Sequence, residues 1–384
     1  TDMSYMFSGA TKFDQDLGNW DVSRVQSMEY MFNGATAFNN GKQAGGSSGN
    51  SIQNWPTANV QNASFMFRNA SSFNQPLNTD GDKWNTANIT NMSYMFSGAT
   101  KFNQNIGAWN TANVETMEGM FASAIAFDNG GSDNIQNWDT ANVGNMERMF
   151  VGAKVFNRPI STSGNKWNTS NVSNMSYMFS EARAFNGDIT GWDTANVNNM
   201  SHMFSGARSF NRNIGGWTTS SVENMSKMLV SAFAFGHDLK NWNVSGVTTP
   251  RSSQGADVFA NSGIFNDKNK WPTAWTPRAP QVAGVRVTPH SSTSGSAVVK
   301  WNTISSDNQA KMGTNLIISW SLKPISQNDG ITQVSVAKTT AGTTGHTINV
   351  GSADTKIYVQ IVAEGKAHET RDSLPSTEAS GKSK

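Results

Sequence analysis

The chain is 384 residues long with a net charge of only +2, so charge gives no reason to expect nucleic acid or an anionic membrane as partner. It has no cysteine, which excludes disulfides, thiolate metal sites and cysteine nucleophiles, and no apolar run approaches the ~18 residues that span a bilayer. Charged residues make up 15%, below the roughly 25% usual in soluble proteins; Asn, Ser, Thr and Gly carry the polarity instead, a composition that suits an exported bacterial surface protein.

The first residues, Thr1-Asp2-Met3-Ser4-Tyr5-Met6-Phe7, already read as the inside of a repeat, and on that ground the chain is expected to be a fragment with its leader and further repeats upstream. Trp then recurs at 20, 55, 84, 109, 138, 167, 192, 217 and 242, with gaps of 25 or 29 residues and one of 35. From each Trp the same ruler applies: Val or Ile at +5, Met at +8 and +11, Phe at +12, Ala at +15 and Phe at +18. From Trp109 it marks Val114, Met117, Met120, Phe121, Ala124 and Phe127. A fixed period with apolar positions in register predicts a solenoid, each coil burying its apolar face on the next.

Within the coil the apolar steps of 3, 3, 1 and 3 predict a short helix from Val114 to Ala124, with Thr111 and Asn113 capping its first turn. The following Phe-Asn-x-x-Ile/Leu, as in Phe102 to Ile106, predicts a short strand paired in parallel with its copy in the next coil, the Asn forming a ladder onto buried backbone groups. All variation in repeat length falls around that strand. It includes the Gly/Ser run within 39–51 and the inserts before Trp84, Trp138 and Trp167.

Residues 1–242 thus form the repeat solenoid, and 243–272, where Pro250 replaces the first Met, a degenerate capping coil. A Pro-rich hinge follows at 273–280. From 281 to 384 the pattern turns to short alternating segments, which predict an all-β sandwich. The expected fold class is therefore an α/β solenoid of leucine-rich-repeat type followed by that sandwich.

The unit W-(D/N)-(T/V)-x-N-V-x-N-M-S-x-M-F-x-G-A-x-x-F-N-x-x-I, seen at 84–106 and 167–189, resembles the BspA-like leucine-rich-repeat family, and within it the Mycoplasma-type lipoprotein variant. The second module, with Ala279-Pro280, Val285, Val287, Trp301 and Tyr358, resembles a fibronectin type III domain. The first resemblance implies a bacterial cell-surface protein serving adhesion; the second implies a spacer.

Two sets of columns are candidate binding residues, because they vary between copies on an otherwise constant frame. One lies two residues after the first Met: Tyr5, Tyr30, Phe65, Tyr94, Gly119, Arg148, Tyr177, His202 and Lys227. It holds four of the five tyrosines, and Tyr and Arg are favoured at interfaces. The other follows the ladder Asn: Gln15, Asp16, Gln75, Gln104, Asn105, Arg158, Asp188, Arg212, Asn213 and Asp238. The five scattered His and the lack of a Ser/His/acid set, P-loop or paired carboxylates give no basis for catalysis. No cofactor is expected, although Asp80, Asp82, Asp128 and Asp133 offer clustered oxygens of the kind calcium takes.

The expected function is non-enzymatic, extracellular binding of a host or neighbouring-cell surface protein or glycan through one solenoid face. Nucleic acid and membrane insertion are not expected, and the oligomeric state is left open. A stalk of a surface protein, or a carbohydrate-binding module of a larger secreted enzyme, are the alternatives.

Overall fold

A computed structural model describes residues 1–41, 52–77, 79, 81, 83–248 and 254–275, together with the backbone of seven strands between 286 and 382. The chain divides into two compact units, Thr1–Trp275 and Thr276–Lys384. The insert at 42–51, most of the hinge and Trp301 lie outside the described residues.

In the first unit, the segment expected to be helical is a chain of tight turns. In the Trp109 coil the amides of Met117, Gly119, Phe121 and Ser123 donate to the carbonyls of Asn145, Glu147, Met149 and Val151 in the next coil, at 2.6–3.1 Å. The intervening amides of Met120, Ala122 and Ala124 close three-residue turns onto Met117, Gly119 and Phe121. A helix sends every amide back within its own turn; here alternate amides leave the coil. Residues 119 and 123 also have φ of +57°, outside any right-handed helix. Successive turns repeat every two to three residues, so they place Met117, Met120, Phe121 and Ala124 on one side and mimic helical spacing.

Thr111 is accordingly no helix cap. Its hydroxyl donates forward to the Asp139 carbonyl at 2.7 Å, and the same bond recurs at Thr57, Thr86, Thr140, Thr169, Thr194 and Thr219. Asn113 donates backward, from Nδ2 to the Ala87 carbonyl at 2.8 Å.

The expected strand is displaced as well. Parallel bridges join consecutive coils not at Phe-Asn-x-x-Ile but just before the first Met, running Asp2, Ser27, Asn62, Asn91, Thr116, Asn145, Asn174, Asn199 and Asn224. At the Phe-Asn segment side chains replace the backbone as acceptors. Asp14, Asn39, Asn74, Asn103, Asp128, Asn157, Asn186 and Asn211 each present Oδ1 to the amide of the matching residue one coil on, at 2.7–3.1 Å.

The core is aromatic. Phe at +12 stacks on its copy in the next coil at 5.5–5.8 Å from Phe32 to Phe204. Phe at +18 does the same at 5.8–6.1 Å from Phe38 to Phe235. Trp indoles at 55, 109, 138, 167, 192, 217 and 242 donate to a carbonyl of the preceding coil, Trp138 to Ile106 at 3.1 Å for example. Each of these Trp thus removes a large apolar area from water while its one polar atom stays satisfied; the buried indole nitrogens of Trp84 and Trp275 have no such acceptor among the described residues. From Leu229 the ladder passes to a six-residue helix, α1 (Gln254–Phe259), and the residue after it: the Val258 and Ala260 carbonyls accept from Leu229 and Ser231.

The second unit contains β1 (Arg286–Pro289), β2 (Ser296–Lys300), β3 (Met312–Ser321), β4 (Thr332–Ala337), β5 (Gly345–Asn349), β6 (Lys356–Gly365) and β7 (Ala379–Lys382). They form two antiparallel sheets, β1-β2-β5 and β4-β3-β6-β7. Among the described residues no helix is long and apolar enough to cross a membrane.

Candidate interaction surface

The turn chain demands two left-handed residues per coil. One is the variable column itself, with φ between +54° and +62° at Tyr5, Tyr30, Phe65, Tyr94, Arg148, Tyr177, His202 and Lys227 and +57° at Gly119. The other lies four residues on: Gly9, Gly34, Asn69, Gly98, Ser123, Gly152, Glu181, Gly206 and Ser231. Both sites favour glycine, since an L side chain in this region costs roughly 1–2 kcal/mol. Five of nine copies use glycine at the second site but only one at the first. The column therefore keeps bulky side chains exactly where the backbone disfavours them.

Those side chains form a file along the surface. Tyr5 stacks on Tyr30 at 4.8 Å, Tyr30 on Phe65 at 4.3 Å and Phe65 on Tyr94 at 5.0 Å. Further along, the Arg148 guanidinium lies 4.9 Å above the Tyr177 ring, and Tyr177 stacks on His202 at 4.3 Å. Tyr5 is exposed and the other rings are half-buried. Stacking occupies the ring faces, so a partner meets ring edges and hydroxyls.

At Gly119 the file changes character. A Cβ there would fall 2.3 Å from Tyr94 Cε1, so the Tyr94 ring lies over the glycine and buries it. The Tyr94 hydroxyl then donates to Glu118 Oε1 at 2.7 Å, while Asn145 Nδ2 donates to Glu118 Oε2 at 3.2 Å. In the next coil Glu147 takes Asn174 Nδ2 at 2.8 Å and pairs with Arg148. Burial, then the bond to the Glu118 carboxylate, push the Tyr94 phenol up to about 12, with Arg148 offsetting part of the rise. Burial and then Lys227 hold the His202 imidazole below its ordinary value. Glu118 and Glu147 were not candidates from sequence; the signal was there, since Ser fills that column in six other copies, at 4, 64, 93, 176, 201 and 226.

The second candidate strip is committed to internal bonds. Asp16, Asn105, Asp188, Asn213 and Asp238 each accept from the amide two residues on, at 2.8–3.0 Å, closing a local turn. At Asp188 the Thr190 amide, then its hydroxyl, hold the carboxyl below its ordinary range. Gln75 is buried and donates to Asn39 Oδ1 at 2.9 Å, Gln104 donates to Asn74, and Arg212 to the Asn186 carbonyl at 2.7 Å. Gln15 is exposed. Arg158 sits between Asp128 and Asp133, paired with both, and donates to the Gly131 carbonyl at 2.8 Å. The cation between those two calcium candidates is a guanidinium. Asp80 and Asp82 lie outside the described residues.

A family profile described as "Mycoplasma protein of unknown function, DUF285" matches residues 1–81, 77–165 and 162–271 in tandem. The chain belongs to the DUF285 family. The three matches cover the DUF285 repeats and end within the first compact unit. No curated protein matches the chain. A solved structure described as "Myokine structure" is similar over 27% of this chain and 94% of its own length, at 18% identity and a TM-score of 0.20.

Proposed function

We propose that this DUF285 chain is a non-enzymatic recognition protein of a bacterial cell surface, binding a protein on a host or neighbouring cell through the left-handed aromatic column. On this reading the first unit is a leucine-rich-repeat-like solenoid, with turns in place of the helix, and the second a fibronectin type III-like spacer. The strand order β1-β2-β5 and β4-β3-β6-β7 supports the latter. The observation that carries the function is the choice of side chain against backbone preference. Stacking contributes about 0.5–1.5 kcal/mol per ring pair, which only offsets the roughly 1–2 kcal/mol cost of each left-handed side chain. Stability alone gives no net reason to keep the rings, whereas Tyr and Arg are favoured at protein interfaces. With ring faces occupied, edge contacts and hydroxyl hydrogen bonds suit a protein better than a stacked sugar.

The test is binding of the whole labelled chain to intact epithelial and bacterial cells, before and after protease treatment of those cells. Saturable binding that protease abolishes is expected, and the double variant Tyr30→Gly/Tyr177→Gly weakens it by about tenfold or more, the loss of one good hot spot. Binding that survives protease, binding unaltered in the variant, or no binding to any cell overturns the proposal.

A further inference from the structure

A second surface lies on a different edge of the same coils, four and six residues after each Trp. There Gln61, Asn88, Thr90, Asn113, Glu115, Asn142 and Gly144 line a groove of about 820 Å³. The amides of Thr90, Glu115 and Gly144 each donate to the carbonyl of the matching residue one coil earlier at 2.8–2.9 Å, so the groove floor follows the stack. Along one wall Asn88, Asn113 and Asn142 repeat coil by coil, each exposed. Each donates one amide hydrogen to a carbonyl of the preceding coil: Ala58 at 2.7 Å, Ala87 at 2.8 Å and Ala112 at 2.7 Å. That bond fixes the carboxamide plane and leaves it one hydrogen and its carbonyl oxygen at the surface.

Gly144 is the informative position. Its φ is not left-handed, and a Cβ there would meet nothing closer than 4.0 Å. Neither backbone nor packing calls for glycine. The other copies carry Gln26, Gln61, Thr90, Glu115, Ser173, Asn198, Glu223 and Thr248 in this column. The missing side chain opens the groove and does nothing else visible in the structure.

We infer that this groove binds an extended, neutral, 1,4-linked polysaccharide along the stack, independently of the aromatic column. A carboxamide offers a donor and an acceptor side by side, the pattern that a pair of neighbouring sugar hydroxyls satisfies. The carboxamides repeat at the coil spacing, about 4.8 Å for hydrogen-bonded neighbours, close to the advance of one 1,4-linked hexopyranose. Successive sugars therefore each meet a carboxamide. They do so alternately through opposite edges, because a β-1,4-linked chain turns each unit over relative to the last, and a group that both donates and accepts serves either edge. An extended polypeptide advances about 3.3 Å per residue and falls out of step within one coil. Glu115 is the lining's one ionisable group and no cation joins it, so an anionic polymer is disfavoured. No aromatic ring lines the groove, and affinity must come from summed hydrogen bonds with fixed donors.

The test titrates the whole chain with cellohexaose, chitohexaose, their disaccharides and a (Gly-Ser)6 peptide by calorimetry. One of the hexasaccharides binds, and its disaccharide is weaker by about tenfold or more because it reaches fewer amides. Gly144→Gln, which restores a side chain other coils carry, weakens the hexasaccharide by a similar factor at an unchanged melting temperature, whereas Tyr30→Gly/Tyr177→Gly leaves it unaltered. No binding of either hexasaccharide at millimolar concentration, equal affinity for di- and hexasaccharide, an unaffected Gly144→Gln, or binding of the peptide instead overturns the inference. Failure of cell binding with these results intact would overturn only the aromatic-column reading.

Discussion

Trp138→Ala removes the centre of the indole file. Trp138 is fully buried, with Trp109 and Trp167 each 6.4 Å away and Phe121 at 6.3 Å. Truncating a buried Trp to Ala costs about 3–5 kcal/mol. Its indole also donates to the Ile106 carbonyl, and leaving that buried acceptor bare adds about 1 kcal/mol. The expected loss is therefore about 4–6 kcal/mol. Trp20→Ala is the control: Trp20 is only partly buried, its ring meeting Phe7 at 5.8 Å, and about 1–2 kcal/mol is expected from its smaller buried area. Guanidinium melts followed by tryptophan fluorescence report chiefly on the first unit, which holds eleven of the thirteen Trp. Because each coil touches only its neighbours, the central lesion divides the array and splits the transition in two. Equal losses at 20 and 138, or a loss below about 1 kcal/mol at 138, would refute nearest-neighbour stacking as the source of stability.

Two further outcomes follow from the ladders. Asn103→Ala removes the acceptor for both the Asp128 and Gly130 amides, so denaturant melts should show a loss of about 1–3 kcal/mol, against a few tenths for the exposed Gln15→Ala. For Tyr94, the folded-state pKa is raised, so its contribution is fully present below the unfolded value of about 10 and is lost as pH rises toward about 12. Stability measured across that window should fall, and Tyr94→Phe should flatten the fall; an identical pH profile in the variant would contradict it.

The columns at Trp109, Met117, Phe121 and Phe127 were legible because burial forces the same apolar residue into every copy. The Asn ladder was legible for a similar reason: Oδ1 of Asn74 or Asn103 must meet the next amide in every coil. The helix was misread because turns spaced by two and three residues place Met117, Met120 and Phe121 on one side as a helix would. Gly98-Ala99, Gly152-Ala153 and Gly206-Ala207 were the available hint, a glycine recurring one residue before the end of the expected helix. Left-handed φ at Tyr30 or Tyr177 was not legible, because bulky side chains argue against that conformation. Asn105-Ile106-Gly107 and Asp16-Leu17-Gly18 mark local turns in retrospect, which is why their polar side chains point to their own backbone and not to a partner.

The stability of Tyr30→Gly tests most directly whether the aromatic column is kept for binding. Relief of the left-handed backbone gains roughly 1–2 kcal/mol. Loss of stacking on Tyr5 and Phe65 costs about 0.5–1.5 kcal/mol each, and glycine's added freedom in the unfolded chain about 0.5–1 kcal/mol. A guanidinium melt should place the variant within about 1–2 kcal/mol of the parent. A loss of about 4 kcal/mol or more, on the scale of a core truncation, would make the column part of the scaffold and contradict its role as a recognition surface.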